Sequence, residues 1–94
     1  MATIHPRVLA ALGRALSLEF SAVQQYITHA CLVNNWQLVE AADRFRNEAV
    51  EEMQHSERII DRMLSLGVAP AASQLRPVDS ANNLEGLLLA NLKL

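Results

Sequence analysis

The stretch EAVEEMQH, residues 48 to 55, contains Glu48, Glu52 and His55, and Glu19 lies about one long helix upstream. Carboxylates and an imidazole at these spacings suit the binding of a metal cation through oxygen and nitrogen. Glu52 and His55 are three residues apart, so on a helix both side chains reach one ion from a single turn, and Glu19 approaches from the facing helix. A carboxylate buried without a partner costs several kcal/mol even after relaxation. Glu19 and Glu52 therefore each need a cation, a shared proton or a metal. Lys93 is the only lysine, and the arginines at 7, 14, 44, 46, 58, 62 and 76 mostly project away from the apolar stripes described next, which leaves metal as the remaining strong candidate beside a shared proton.

Two long periodic segments must position these groups. The first is expected from Pro6, a residue suited to the first position of a helix, to about residue 33. At about 100° per residue, Val8, Leu12, Leu16, Val23, Tyr26, Ile27 and Ala30 fall within roughly 80° of Glu19, which sits at the centre of the apolar stripe. The polar stretch VNNWQ, residues 33 to 37, predicts a tight reversal, with Trp36 anchoring it. The second helix is expected over about 37–66, ending at Gly67 with Pro70 beyond. Its inward stripe is Leu38, Ala41, Phe45, Ile59, Met63 and Leu66, with Glu52 in the middle. Glu48 and His55 lie roughly 60 to 80° to one side, and Glu51 falls on the solvated arc between Arg44 and Arg58. A loop or crossover over 67–81 and a short helix over about 82–94 complete a single domain.

Each long helix should measure roughly 42 to 45 Å at about 1.5 Å per residue, and two such helices cannot enclose a core alone. The expected fold is all-α: an antiparallel helical hairpin that pairs with a second chain into a four-helix bundle, most economically as a homodimer. Composition agrees, with 51% hydrophobic residues among the 94, few aromatics, and only three Gly and three Pro. A net charge of −2 without a basic cluster gives no footprint for nucleic acid or an anionic membrane. No window reaches 18 apolar residues, since Arg14, Glu19, His29, Glu40 and Asp43 interrupt every candidate, so no transmembrane helix is expected. The single Cys31 and the absence of a secretion-type N-terminus point to the cytoplasm.

Doubling the hairpin would supply two copies each of Glu19, Glu52 and His55. That set, a Glu from each of two helices and Glu-x-x-His from each of the other two, is the one that holds paired iron or manganese ions in helical bundles. Oxygen-rich ligands with two imidazoles suit Fe or Mn rather than Cu(I) or structural Zn.

Glu19 with the following QQY, the Trp36 turn and EEMQHSERIIDR together resemble the first half of a bacterioferritin, a ferritin-like di-iron protein, across roughly residues 8 to 94. The resemblance implies a di-iron ferroxidase site oxidising Fe(II) with oxygen or peroxide, and iron storage or detoxification in a mineral-holding shell. By position, Glu19 resembles a terminal carboxylate ligand, Glu52 a bridging carboxylate, His55 the imidazole ligand and Glu48 an auxiliary iron-entry carboxylate. Tyr26 resembles the tyrosine beside the di-iron centre that supplies an electron. Met53 matches the methionine that ligates haem b between two subunits. Bacterioferritins carry four helices in one chain. Here a second Glu-x-x-His is absent and the sequence stops about where the third-helix glutamate would follow, so another chain is expected to supply the other half of the site.

Plainer readings stand beside each of these. The triad of Glu19, Glu52 and His55 forms a polar network without metal; Glu48 faces water at the boundary; Tyr26 packs in the core with its hydroxyl satisfied. Met53, about 100° from Glu52 on a flank with Val39, Ala42, Val50, Ile60 and Leu64, marks an interface rather than a haem ligand. His5 and His29 are expected to face solvent or cap helices, and Cys31 to be a small buried hydrophobe. The rival function is a non-enzymatic, truncated bacterioferritin-like module that binds haem or metal or co-assembles with a full-length partner.

Overall fold

The computed structural model describes residues 4–72 and 74–94. Helix α1 spans Pro6–Asn35, α2 Val39–Ser65 and α3 Leu84–Leu92, and no strand occurs among the described residues. The two long helices lie against one another as an antiparallel hairpin, and the described residues together extend 54 × 18 × 16 Å. The all-helical class expected from the periodicity is the one observed among the described residues.

Local chemistry sets the helix ends. Pro6 opens α1, and the His5 ring at the N-cap accepts a hydrogen bond from the Arg7 amide through Nδ1 at 3.1 Å, the capping role open to it. Helix α1 runs on past residue 33 to Asn35, and α2 begins at Val39 rather than 37. The reason is Gln37, whose φ of 66° is left-handed and cannot continue either helix. The reversal is closed by Leu38 N–H donating to the Val33 carbonyl at 2.9 Å. At the other end of α2, Gly67 takes φ 75°, its N–H bonds to Leu64 O and Val68 N–H reaches back to Met63 O, each at 3.0 Å. This paired closure satisfies carbonyls that the last turn leaves without partners.

Between the helices the packing is close because small side chains face each other. Ala22, Ala30, Ala42 and Ala49 are buried together with Leu16, Phe45 and Met63. Leu87 of α3 inserts into the cluster of Ala30, Val33, Ala42 and Phe45, with Trp36 against its edge. The inward stripe is therefore narrower than expected. Val8, Ile27 and Leu38 are exposed, as they lie at the margins where two helices alone provide no cover.

The crossover between α2 and α3 runs along α1 and is tied to it by a polar ladder. Ser17 Oγ accepts from Gln74 N at 3.3 Å, Ser21 Oγ from Arg76 N at 2.9 Å, and Gln25 Oε1 from Asp79 N at 3.0 Å. His29 closes it, with Nε2 donating to the Asp79 carbonyl at 2.7 Å. These four residues recur every fourth position and so form one row on the helix. The expectation that His29 faces solvent or caps a helix is corrected: it is fully buried, with its ring edge-on to Phe45 at 5.6 Å between centroids. Cys31, expected to be buried, is exposed, since the row of buried positions passes it by.

Candidate metal centre

Glu19 reaches the hairpin interior from the middle of α1, opposite the second half of α2. Glu52 and His55 project from one turn of α2, as their spacing requires. His55 Nδ1 lies 3.4 Å from Glu52 Oε2 and 3.6 Å from Glu19 Oε2. One ligand atom from each of the three residues can be chosen so that all lie within 4.8 Å of one another. The carboxylates are mostly covered, with side chains 22% and 23% exposed for Glu19 and Glu52, whereas His55 remains 45% exposed. His55 thus stands at the exposed edge of the cluster with Nδ1 turned toward both carboxylates.

Electrostatics leave this group without a protein cation. All seven arginines and Lys93 are exposed, and the one ion pair made by them among the described residues joins Arg46 to Asp43 at 3.2 Å. Glu19 Oε2 is buried and accepts no hydrogen bond. An acceptor left in that state costs about 1–3 kcal/mol. Two carboxylate oxygens and one imidazole nitrogen, one oxygen lacking a donor, form a donor set that fits a divalent cation of the iron type.

Tyr26 lines the same pocket, with Leu18, Glu19, Ala22 and Glu52. Burial, and after it the Glu48 carboxylate, raise the Tyr26 phenol above its ordinary value of 10.0. Glu48 is half-buried one turn before Glu52, and the three-residue cluster does not include it. Glu51 is exposed on the solvated side. Met53 is turned away from the cluster and is 55% exposed. It lines a groove of about 380 Å³ with Phe20, Val50 and Ile60. Val39, Val50 and Leu64 on the same flank are exposed too, while Ala42 is buried under Leu87.

Two residues of this region went unnoticed in the sequence, Gln25 and Asn91. Gln25 Nε2 donates to Asn91 Oδ1 at 3.0 Å, and Asn91 lines the pocket that holds the carboxylates. The fourfold spacing of Ser17, Ser21, Gln25 and His29 is a legible signal for the first; nothing in the local sequence marks the second.

The scaffold is a pair of helices with a glutamate on one and Glu-x-x-His on the other, whose side chains form a group that could hold a metal ion. The chain belongs to the ferritin-like family: the ferritin-like domain pattern matches residues 9–93. Its relatives are bacterioferritins. The Brucella melitensis protein is 35% identical over 89 residues, covering 95% of this chain and 55% of its own. The Mycobacterium leprae protein is 42% identical over 65 residues, covering 69% of this chain and 41% of its own. In structure, Rhodobacter capsulatus bacterioferritin superposes with a TM-score of 0.91 at 32% identity, over 98% of this chain and 57% of that one. That protein is described with a metal-free dinuclear site and a haem iron. The chain spans about half the length of the curated relatives it matches. No described helix is long and apolar enough to cross a membrane.

Proposed function

We propose that this chain binds iron through Glu19, Glu52 and His55 as half of a di-iron carboxylate site, and oxidises Fe(II) with oxygen or peroxide in iron storage or detoxification. The observation that carries this reading is the buried, donorless Glu19 Oε2 inside a Glu–Glu–His cluster that no arginine or lysine reaches. The other half comes from a second hairpin. A further copy of this chain is the simplest donor, since a twofold axis doubles the ligand set to four carboxylates and two imidazoles.

In this reading Glu19, Glu52 and His55 would hold iron together, Glu52 as the carboxylate shared with the other half of the site, and His55 would ligate through Nδ1, the nitrogen turned toward both carboxylates. Bound iron supplies the electrons that reduce the oxidant. Glu48, half-buried at the margin, offers an oxygen to Fe(II) arriving as substrate. Tyr26 keeps its proton, as burial and Glu48 disfavour the phenolate, so an electron drawn from it leaves together with that proton. The apolar groove at Met53 supports a second binding reading, in which Met53 of two copies ligates haem b across an interface.

Aerobic addition of Fe(II), followed by ferric absorbance, tests the proposal. Wild-type protein should oxidise iron well above the buffer rate, and Glu52→Ala should not; equal rates would sink the assignment. A native mass showing a monomer, or an assembly free of iron after loading, would favour the non-enzymatic module that co-assembles with a longer partner.

A further inference from the structure

Arg14 on α1 and Arg76 on the crossover, far apart in sequence, line one cavity of about 250 Å³ with Ala15, Ser17, Leu18 and Gln74. A second cavity of about 280 Å³ shares Arg14, Ser17 and Gln74 and is also lined by Ala10 and Gly13. No acidic side chain lines either one, in a chain whose net charge is −2. Both arginines are exposed, and among the described residues neither pairs with a carboxylate.

Ser17 and Gly13 add to this. Ser17 is only 5% exposed, and its Oγ accepts from Gln74 N–H at 3.3 Å. Ser21, Thr28 and Ser56 each donate their hydroxyl proton to the carbonyl four residues back. Ser17 makes no such bond among the described residues, so its proton is left for an acceptor in the cavity. Gly13 is a poor helix former in the interior of α1, and a Cβ placed there meets nothing within 4 Å. No packing contact among the described residues therefore requires glycine, which borders the second cavity.

A guanidinium offers a fork of donors that matches the oxygens of a phosphoryl group, and two of them balance its double charge. We propose that Arg14 and Arg76 hold a phosphate-type oxyanion, with the Ser17 hydroxyl as a further donor, and that the cavity at Gly13 takes the organic part where the ligand is a phosphate monoester. The site shares no residue with the Glu19–Glu52–His55 group and does not rest on the metal reading.

Isothermal titration of the full chain at low ionic strength tests this, with inorganic phosphate and glycerol 3-phosphate as probes. No iron is added, so that ferric ions do not take up the phosphate. The wild type should bind phosphate at one site per chain. Arg14→Gln and Arg76→Gln should each weaken it about tenfold or more, as expected for lost hydrogen bonds to a charged group. Arg76→Gln leaves the main-chain bond from Arg76 N to Ser21 Oγ in place, so the crossover stays tied, which circular dichroism and urea unfolding check. Arg58→Gln, at an exposed position on α2 outside the cavity, should leave the affinity unchanged. Equal or weaker binding of glycerol 3-phosphate assigns the site to free phosphate. Tighter binding that Gly13→Leu returns to the level of phosphate assigns it to a monoester; tighter binding that Gly13→Leu leaves alone overturns the role given to the second cavity. A wild type that binds neither probe, an unchanged affinity in both arginine variants, or an equal loss in Arg58→Gln, which marks diffuse attraction, would overturn the inference.

Discussion

Glu19 on α1 and His55 on α2 come within 3.6 Å of one another across the hairpin, Oε2 to Nδ1, although neither forms a hydrogen bond at that distance. The buried carboxylate oxygen lacks a donor, and the imidazole supplies none. The two groups thus face one another without a direct bond.

Replacing the carboxylate should therefore separate stability from metal binding. Glu19→Leu is expected to raise the stability of metal-free protein by about 1 kcal/mol or more, because it removes a buried unsatisfied oxygen. The same variant should bind Fe(II) or Co(II) at least about tenfold more weakly. Urea unfolding with and without metal, joined to a metal titration, checks both. Stabilisation with unchanged metal affinity would make the hairpin purely structural.

His29 should matter for the crossover rather than for the metal. Its Nε2 holds the Asp79 carbonyl from a fully buried position, and the ring fills space beside Phe45. His29→Ala should cost about 2–4 kcal/mol, from the lost bond and the cavity left behind. Hydrogen exchange at the Arg76 and Asp79 amides should accelerate together. Acceleration spread evenly over α1 and α2 would contradict a role local to the crossover.

Tyr26 is the only tyrosine, so the whole phenolate absorbance reports on it. Its raised value makes the folded state hold the proton more tightly than the unfolded state. Stability from this group is then fully present below pH 10.0 and is lost as pH rises through the higher folded value. Tyr26→Phe should flatten the alkaline limb of a stability profile, and Glu48→Gln should lower the phenol midpoint in the wild-type background. A midpoint at or below 10.0 in folded protein would contradict the burial described.

The flank of Val50, Met53 and Leu64 should control assembly. All three are exposed and line up on one side of α2, away from the carboxylates. Val50→Glu is expected to leave the hairpin folded and weaken self-association about tenfold or more, since burying one such side chain is worth about 1.5–3 kcal/mol. Sedimentation velocity over a dilution series measures this. Unchanged association would place the interface elsewhere.

The sequence carried the cluster further than the crossover. Glu52 and His55 three residues apart, and Glu19 central on its own stripe, are brought together in the structure from angle alone. The wheel also separated Met53 from Glu52 onto a different flank and left Glu51 in solvent. It failed for His29 and Cys31, both judged by residue type. An imidazole without a carboxylate partner looks like a surface group until a main-chain carbonyl arrives to receive its proton, and a thiol looks buried until its side of the helix receives no neighbour.

By itself the sequence determined the helices, their reversal near Gln37, the stop at Gly67 and the convergence of Glu19, Glu52 and His55. Each of these depends on backbone torsions or on about 100° of rotation per residue, quantities that residue order specifies. Only the tertiary structure decided that Ser17, Ser21, Gln25 and His29 grip the crossover and that Gln25 reaches Asn91. Those outcomes depend on where an aperiodic segment places its main-chain groups, and a main-chain N–H or C=O is the same at every residue that could have offered it.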